Sequence, residues 1–549
     1  MATTPKFTPE ELRRRRQQDA ADIWQRADRY RTELREIYRY FTPWREPTSE
    51  RAPQHGGPSE GDKRTQYLFD STGPSAAFAF AAHMKGDWMP SFDDFFKLEP
   101  GPLYVAADDE ARAQFVTQLQ AVTKVAHGLL AKPRLAADEM FADLFGGTGA
   151  MYLSRGDRRA PIRGVAVPTA EVALGNGAWG EVERWHWKRP YAWRHLEEMW
   201  PDGKYSDKLA RAMKDKRTGE VNVSQYTYWD AADEMFRLCV WCDEDLSCEL
   251  HAETLKVSPW VTPRMFVVPG EAMGRGLAHL GLPSVKTLNK ARELALRAAA
   301  FALLGLWTRR NDGVFNPDTA VMAPGNFWKV AYSDGPLKTI SRLDVPHNFD
   351  IASVIIKDER EQLRRVLLDD ELPEMQDAVR TPTEIAGRMR RYERNRGGAT
   401  TRLALELVAP MVQRTVDLMA QLRYLPKDIE VDQILLQASI AAPAAAAMRT
   451  DKVERMVNWI QIMSGLFGPQ IAALNATIED ILPQMARDLG VEEKFIRQKT
   501  QAEQMKALID TAVSAALEQQ KAAEKGAPAM PPPAQAKEIA AQYSNGALQ

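Results

Sequence analysis

The stretch from Leu282 to Glu371 limits most strongly what this chain can fold into. An alanine-rich helical pattern at 282–308 is followed by a glycine- and proline-rich excursion at 309–349, and then by a second, highly charged helical pattern at 350–371. The second pattern keeps its apolar residues on one face, which can cover a partner helix. The sequence therefore predicts an antiparallel pair of helices, a stalk that carries a small head.

The first stalk helix has small and apolar residues at helical spacing on or near one face. These predicted packing residues are Leu288, Ala291, Ala295, Ala298, Ala302 and Leu306. Small side chains allow two helix backbones to approach closely, as neighbouring helices in an assembly require. In the head, we expect short strand material around Phe315, Phe327 and Trp328.

A sharp helix start follows the second stalk helix. Thr381 is suited to cap a helix, with Pro382 at its first position and Glu384 at its third, which is a capping box. The loop at 372–381 is therefore held by a helix at each end, and we predict that it projects into a channel. Its named residues are Leu372, Pro373, Glu374, Met375, Gln376, Asp377 and Arg380.

The N-terminal half changes from helical to extended patterns. Residues 8–41 carry one apolar stripe at spacings of three and four, and Ser71 or Thr72 can cap a further helix. Short alternating runs from 146 to about 260 predict an antiparallel β region with one helical insert near 190–216. Eight of the 14 tryptophans lie there, and we expect them to form sheet core or subunit contacts.

The C-terminal part returns to helical patterns. The pattern at 382–424 contains Gly397-Gly398 and Pro410, which should kink or divide it. A further helical pattern with breaks covers 447–523, and the Pro/Ala-rich tail at 524–549 is expected to be flexible. Taken over its full length, the chain is predicted to be α+β, mainly α.

Composition excludes several classes of protein. Lysine and arginine total 72 and aspartate and glutamate 74, a net charge of −2, which argues against holding nucleic acid by bulk charge. Apolar residues make up 44% of 549 residues, enough for a sizeable core. Three cysteines are no disulfide framework and fit a reducing compartment. Without a signal peptide or an apolar run of about 20 residues, we expect no membrane partner and assembly in a cytosol.

The sequence contains no motif for catalysis. It has no phosphate-binding loop, nucleophile elbow or zinc-protease helix, and the spacing of Gly270, Gly274 and Gly276 does not fit a dinucleotide loop. Cys239, Cys242, Cys248 and His251 could ligate zinc. However, they lie in a predicted hairpin, where residues 239 and 242 point to opposite faces. We therefore predict no enzyme, no catalytic residue, no cofactor and no metal.

Several short segments occur in an order and spacing that one family shares. They are Phe69-Asp70-Ser71-Thr72-Gly73, Pro263-Arg264 ahead of Gly270-Glu271-Ala272-Met273-Gly274-Arg275-Gly276, Leu288-Asn289, Thr381-Pro382-Thr383-Glu384-Ile385 with Arg388, and Gly490-Val491. Through them, from about residue 60 to about 510, the chain resembles the head-to-tail connecting, or portal, proteins of short-tailed bacteriophages.

The resemblance implies a portal-type protomer that assembles into a ring. Its parts are a wing (1–281), a stem helix (282–308), a clip (309–349), a return stem helix (350–371), a channel loop (372–381), a long wing helix with its following segment (382–446), a helical crown (447–523) and a flexible tail (524–549). The protein is then expected in the virion, at the portal vertex, after assembly in the host cytoplasm.

The resemblance also implies partners. It predicts a homo-oligomer, a twelve-fold ring at one capsid vertex, through which double-stranded DNA passes without sequence recognition. A separate terminase pumps this DNA, and scaffold protein, major capsid protein and a tail adaptor protein contact the ring. Another virion structural protein, a tail or ejection component, is the alternative, but such proteins lack the stem–clip–stem order. A motor or nuclease needs a phosphate loop and clustered metal carboxylates, which the sequence does not contain.

Overall fold

The chain divides into two compact units, Met1–Ala442 and Pro443–Gln549. The computed structural model describes residues 8–47, 64–91, 94–100, 109–207, 209–211, 220–304, 306–309, 340–343, 349–367, 400–425 and 436–440, with helical pieces at 456–459, 461–462 and 485. Almost all of these residues belong to the first unit, so the fold given below is that of the first unit. The predicted crown at 447–523 and tail at 524–549 lie almost entirely outside the described residues.

The N-terminal stripe folds as two helices, α1 (Pro9–Arg26) and α2 (Asp28–Tyr40). Thr8 and Glu11 form a capping box that starts α1. The predicted apolar stripe is confirmed, because its residues are all buried: Ile23, Ala27, Tyr30, Leu34, Ile37 and Phe41. The next helices and the first strand follow in this order: α3 (Thr72–Trp88), β1 (Phe96–Pro100), α4 (Asp109–Leu129), α5 (Ala131–Leu135) and α6 (Ala137–Phe145).

The predicted β region is confirmed as two antiparallel sheets. A three-stranded sheet has the order β3-β2-β9, formed by β2 (Met151–Asp157), β3 (Ala160–Ala166) and β9 (Trp260–Val261). A five-stranded meander is built from β4 (Val172–Asn176), β5 (Val182–Ala192), β6 (Glu220–Asp230), β7 (Met235–Cys242) and β8 (Asp245–Leu255). The predicted helical insert includes α7 (Trp193–Met199), between β5 and β6.

The five-stranded sheet has a helix on each face. On one face Ala20 and Ile23 of α1 pack with Tyr226 and Trp241, and on the other face α7 packs with residues such as Val223. Most of the tryptophans of this region are buried, as expected for sheet core: Trp185, Trp187, Trp193, Trp200, Trp241 and Trp260. Of the other two, Trp229 on β6 is half-buried, and Trp179, in the turn between β4 and β5, is 92% exposed.

The remaining described elements follow the sheets in chain order. They are α8 (Leu277–Leu304), β10 (Leu306–Arg309), β11 (Ile340–Leu343), α9 (Phe349–Val366), α10 (Thr400–Leu403), a π-helical turn (Ala404–Val408), α11 (Ala409–Gln421) and β12 (Leu436–Ile440), which pairs antiparallel with β1. The π turn ends at Val408, two residues before Pro410, where the sequence predicted a kink or division. The pair Gly397-Gly398 lies outside the described residues.

Buried ion pairs join elements that are distant in the chain. Arg45, after α2, donates from Nε to Asp143 of α6 at 3.1 Å, and Tyr38 donates to the other carboxylate oxygen at 3.1 Å. Burial disfavours the charge on Arg45, but the Asp143 carboxylate outweighs burial and raises the pKa of Arg45 above its ordinary value. On α11, Arg414 pairs with Asp417 at 2.7 Å and donates to the Leu153 carbonyl of β2.

Candidate functional site: the stalk hairpin and its attachments

Helices α8 and α9 with strands β10 and β11 form one unit, called the stalk hairpin here. At one end, β10 and β11 pair antiparallel, with Leu306 opposite Leu343. At the other end, Gly281 of α8 lies against α9, since a Cβ atom added there would be 2.7 Å from Leu367 and 3.4 Å from Leu363. The two helices therefore run antiparallel, as the sequence predicted.

The bounds of the first stalk helix differ from the predicted 282–308. The helix begins at Leu277, although Pro283 then lies inside it and cannot donate a backbone hydrogen bond. Leu277 and Ala278 are both buried, so the stabilisation from their packing outweighs the loss of the backbone hydrogen bond at Pro283. The helix ends at Leu304, ahead of Gly305 in the sequence, and residues 306–309 form a strand instead.

The predicted stem packing residues lie in different environments. Leu288 is fully buried, Ala291 and Ala295 are half-buried, and Ala298 is exposed. Leu306 belongs to β10 rather than to the helix, which corrects its predicted position. The helix ends before Leu306 because residues 306–309 form a strand that pairs with β11. Ala302 lies in α8, but its side chain is not described. The role of these residues between subunits stays a prediction.

Asn289 of α8 is the first attachment of the stalk hairpin to the rest of the unit. Its Oδ1 accepts hydrogen bonds from the backbone N–H groups of Phe69 (2.7 Å) and Asp70 (3.3 Å). Its Nδ2 donates to the Tyr67 carbonyl at 2.9 Å. One buried amide side chain thus fixes the backbone of the loop that leads into α3.

Asp70 continues this attachment to the second stalk helix. Its buried carboxylate accepts from the backbone N–H (3.0 Å) and hydroxyl (2.6 Å) of Thr72 and from Nε of Arg360 on α9 (3.0 Å). Burial opposes ionisation, but these hydrogen bonds outweigh it and hold the pKa of Asp70 below its ordinary value. Ser71 is the N-cap residue of α3, as predicted, but its side chain makes no capping hydrogen bond; the Asp70 carboxylate accepts from the first helical N–H group instead.

The glycine-rich segment before α8 forms a second attachment. The N–H of Gly274 donates to Thr148 Oγ1 at 2.8 Å, and its carbonyl accepts from Tyr30 Oη at 2.9 Å. A Cβ atom at Gly276 would lie only 2.3 Å from the Phe145 carbonyl oxygen. These glycines therefore allow two backbone segments to touch, which is a structural reason for a pattern that superficially resembles a nucleotide loop.

Arg264 anchors the π turn to this second attachment. Its backbone N–H and Nε donate to one carboxylate oxygen of Glu406, at 3.0 and 3.1 Å, and Nη2 donates to the other at 2.7 Å. Its Nη1 donates to the Ala272 carbonyl, inside the glycine-rich segment. A guanidinium that is 5% exposed thereby ties the long helix to the residues that precede α8.

Many predicted site residues lie outside the described residues. They are the channel-loop residues Leu372, Pro373, Glu374, Met375, Gln376, Asp377 and Arg380, the cap residues Thr381, Pro382 and Glu384, and the clip residues Phe315, Phe327 and Trp328. Their roles remain predictions.

Within the part of the chain that the structure covers, no group of three histidine, cysteine or acidic side chains could hold a metal ion. Cys239 packs on the α1 side of the sheet, whereas Cys242 and Cys248 pack on the α7 side. This division follows from the alternation of side chains along a strand, as predicted. Burial also raises the pKa of the Cys242 thiol to about 11, so it is protonated at neutral pH.

The sequence patterns did not show which residues hydrogen-bond to each other in the two attachments of the stalk hairpin. Asp70, Arg264 and Asn289 all belong to segments that carried the resemblance, but their roles as anchors did not emerge from it. The pattern Asp70-Ser71-Thr72 did contain one usable signal, because an aspartate side chain can accept a hydrogen bond from the backbone N–H two residues on. No local signal pointed to Arg360 or Glu406.

Comparison with known proteins decides the family. The family model for the bacteriophage head to tail connecting protein matches residues 13–496 of this chain. That span includes the stalk hairpin and both attachments. The chain belongs to this family.

As a head to tail connecting protein, the chain is a structural component of a bacteriophage particle, of the portal type, and assembles with capsid and tail components. The family resemblance seen in the motifs is thus confirmed. The two attachments contain the motif segments 69–73, 263–264, 270–276 and 288–289. In the described part of this connecting protein, no helix has the length and apolar character that crossing a bilayer requires.

One solved structure is similar to this connecting protein in part. It is a chain from the "Virion of native gene transfer agent (GTA) particle", with 11% sequence identity and a TM-score of 0.33. The match covers 76% of this chain and 90% of that chain. A TM-score this low supports no conclusion about fold or function. No curated protein gives a significant match.

Proposed function

We propose that this connecting protein is the portal of its phage: a ring at one capsid vertex that forms the conduit for double-stranded DNA. A separate terminase packages the genome through the ring, the genome later leaves through it, and the tail attaches to it through an adaptor protein. The family match over residues 13–496 is the observation that carries the proposal.

In this proposal the stalk hairpin is the stem. Residues 1–281 form the wing, 309–349 the clip, 372–381 the channel loop and 447–523 the crown. The long helix that contains α10, the π turn and α11 lies in the wing. The ring assembles in the host cytoplasm, with scaffold and major capsid protein around it, and stays at the portal vertex of the virion.

Exposed apolar side chains on the stalk hairpin support a ring. The hairpin displays Leu280, Leu294, Leu296, Val354 and Ile355, each between 49% and 66% exposed in the single chain. They are distributed along both helices of the hairpin, where neighbouring copies could contact them. Neighbouring copies related by a rotation that closes would cover them.

The charges of the stalk hairpin support a conduit that does not grip DNA. Glu293 pairs with Lys290 at 2.9 Å and with Arg297 at 2.5 Å, and Glu361 pairs with Arg365 at 3.7 Å. Cations that are already paired along their own helix attract phosphates weakly. Each strong phosphate contact would otherwise resist the passage of DNA.

The proposal is tested by removing apolar contact from the stalk. In the double variant Leu294→Asn with Val354→Asn, each interface loses two large apolar side chains, worth about 1.5–3 kcal/mol apiece when fully buried. The dissociation constant of neighbouring subunits should therefore rise by about a hundredfold or more. Mass photometry of the purified full-length chain measures the resulting shift from ring to smaller species.

The matched control is Lys290→Asn with Lys357→Asn, which places the same residue on the same two helices at exposed polar positions. This control should keep the mass distribution of the wild-type chain. Circular dichroism checks that both double variants retain their helices. If both variants keep the wild-type distribution, the stalk hairpin is not a subunit interface.

A further inference from the structure

The long helix contains a one-residue change of register at its π turn. The N–H of Ala409 bonds to the carbonyl of Ala404, five residues back instead of four. Pro410 has no N–H to donate, so the helix lacks one hydrogen bond here in either register. The missing bond makes this position the least costly place for an extra residue.

The pattern of burial shows what the turn does. In a straight α-helix, residues seven apart lie on nearly the same face. Leu418 and Met411 are both fully buried, so the next buried residue would be Ala404. Instead Ala404 is only half-buried, and Leu403 takes the buried place at 3% exposure. The residues before the turn are therefore rotated by one residue, about 100° about the helix axis.

The same seven-residue spacing shows how the π turn changes the position of Glu406. In a straight helix Glu406 would share the face of Gln413, which is half-buried, and of Ala420, which is exposed to solvent. The π turn brings its carboxylate to Arg264 instead, where it accepts the three hydrogen bonds described above. Leu403 also takes the buried place that Ala404 would hold, so apolar burial favours the same register, whereas Leu405 stays 66% exposed.

We propose that Glu406 sets the register of the long helix. Held by Arg264, it selects the π turn over a straight α-helix, and without that hold the α register takes over. The switch between registers exchanges the places of Leu403 and Ala404 and turns α10 by about 100° relative to α11. Because Arg264 also binds the glycine-rich segment before α8, the base of the stalk hairpin and the register of the long helix are coupled through one side chain.

Cysteine labelling tests the proposal on the full-length chain, because the three native cysteines are all buried. Ala404→Cys and Leu403→Cys are each made alone and with Glu406→Ala. In the Glu406→Ala background, maleimide labelling at 404 should slow by about tenfold, and labelling at 403 should speed up by a similar factor, as a ten-to-one population of the α register gives. Ala420→Cys, beyond the turn, should label equally in both backgrounds.

The opposite direction of the two changes distinguishes a change of register from local unfolding, which would speed up both. Arg402→Ala is the matched control, because it removes the more distant cation, 3.4 Å from Glu406, and should change neither rate. Unchanged rates in Glu406→Ala, or a rise at both positions, would overturn the proposal.

A deletion gives a second test that does not depend on the stability of Glu406→Ala. Removal of Ala409, which lies on the α11 side of Glu406, takes out the extra residue, so α10 and Glu406 both keep their place and the Arg264–Glu406 pair survives. The thermal midpoint should stay near that of the wild-type chain. Removal of Gln413, in the regular α11, shifts every preceding residue by about 100° and should lower the midpoint strongly. Equal losses in the two deletions would overturn the proposal.

Discussion

At the scale of single residues, buried charged and polar side chains connect elements that lie far apart in the sequence. Asp70 connects α3 to Arg360 of α9, which is 290 residues away. Arg264 connects the glycine-rich segment to Glu406. A helix cap depends on neighbours in sequence and could be predicted at 70–72. The distant partner, Arg360, could not be predicted, because the sequence contains many arginines with similar neighbours in sequence.

Asp70→Asn should destabilise the attachment of the stalk hairpin. The amide cannot replace the charge-assisted bonds from Arg360, so the free energy of unfolding should fall by about 2–3 kcal/mol. Because the pKa of Asp70 is lowered in the folded chain, its ionisation stabilises the fold above about pH 4, and this contribution is lost as the pH falls further. Thermal unfolding at pH 7 and at pH 3 measures both effects.

The matched control is Glu361→Gln, which breaks an exposed ion pair on the same helix. It should cost well under about 1 kcal/mol. The difference in unfolding free energy between Asp70→Asn and the wild-type chain should be smaller at pH 3 than at pH 7, because the lowered pKa of Asp70 makes its contribution fall as the carboxylate is protonated. A difference of the same size at both pH values would contradict the role given to the Asp70 carboxylate.

At the scale of elements, the spacing of apolar residues was sufficient to predict helices and strands that bury one face. It predicted the stripe of α1 and α2, the β region at 146–260 and the antiparallel stalk helices. The predicted start of the first stalk helix at 282 was five residues late, because α8 begins at Leu277, where Leu277 and Ala278 are buried. The spacing of apolar residues could not reveal that the glycines at 274 and 276 touch the backbone at 145–147, since that contact joins segments that are distant in sequence.

Gly276→Ala and Gly86→Ala should have effects of opposite sign. A methyl group at 276 would meet the Phe145 carbonyl and the Gly147 backbone, which cannot move aside, so a loss of about 1–3 kcal/mol is expected. At Gly86, inside α3, nothing lies within 4 Å, and alanine should stabilise the chain by about 0.5–1 kcal/mol. Thermal unfolding of the two variants checks this, and a tolerated Gly276→Ala would count against the close backbone contact.

At the scale of the whole molecule, the role of the protein as a connecting protein follows from its family and not from the fold of one chain. The apolar side chains exposed on the stalk hairpin are the candidates for contacts between copies in the proposed ring. The short motifs identified the family through their combined order and spacing, and the family model matches residues 13–496.

We expect this connecting protein to close into a ring. Electron microscopy of the purified chain, with particles classified by rotational symmetry, measures this. The expected result is a closed ring of about twelve copies with an open axial channel. A chain that stays monomeric at high concentration, or one that grows into open filaments, would contradict it.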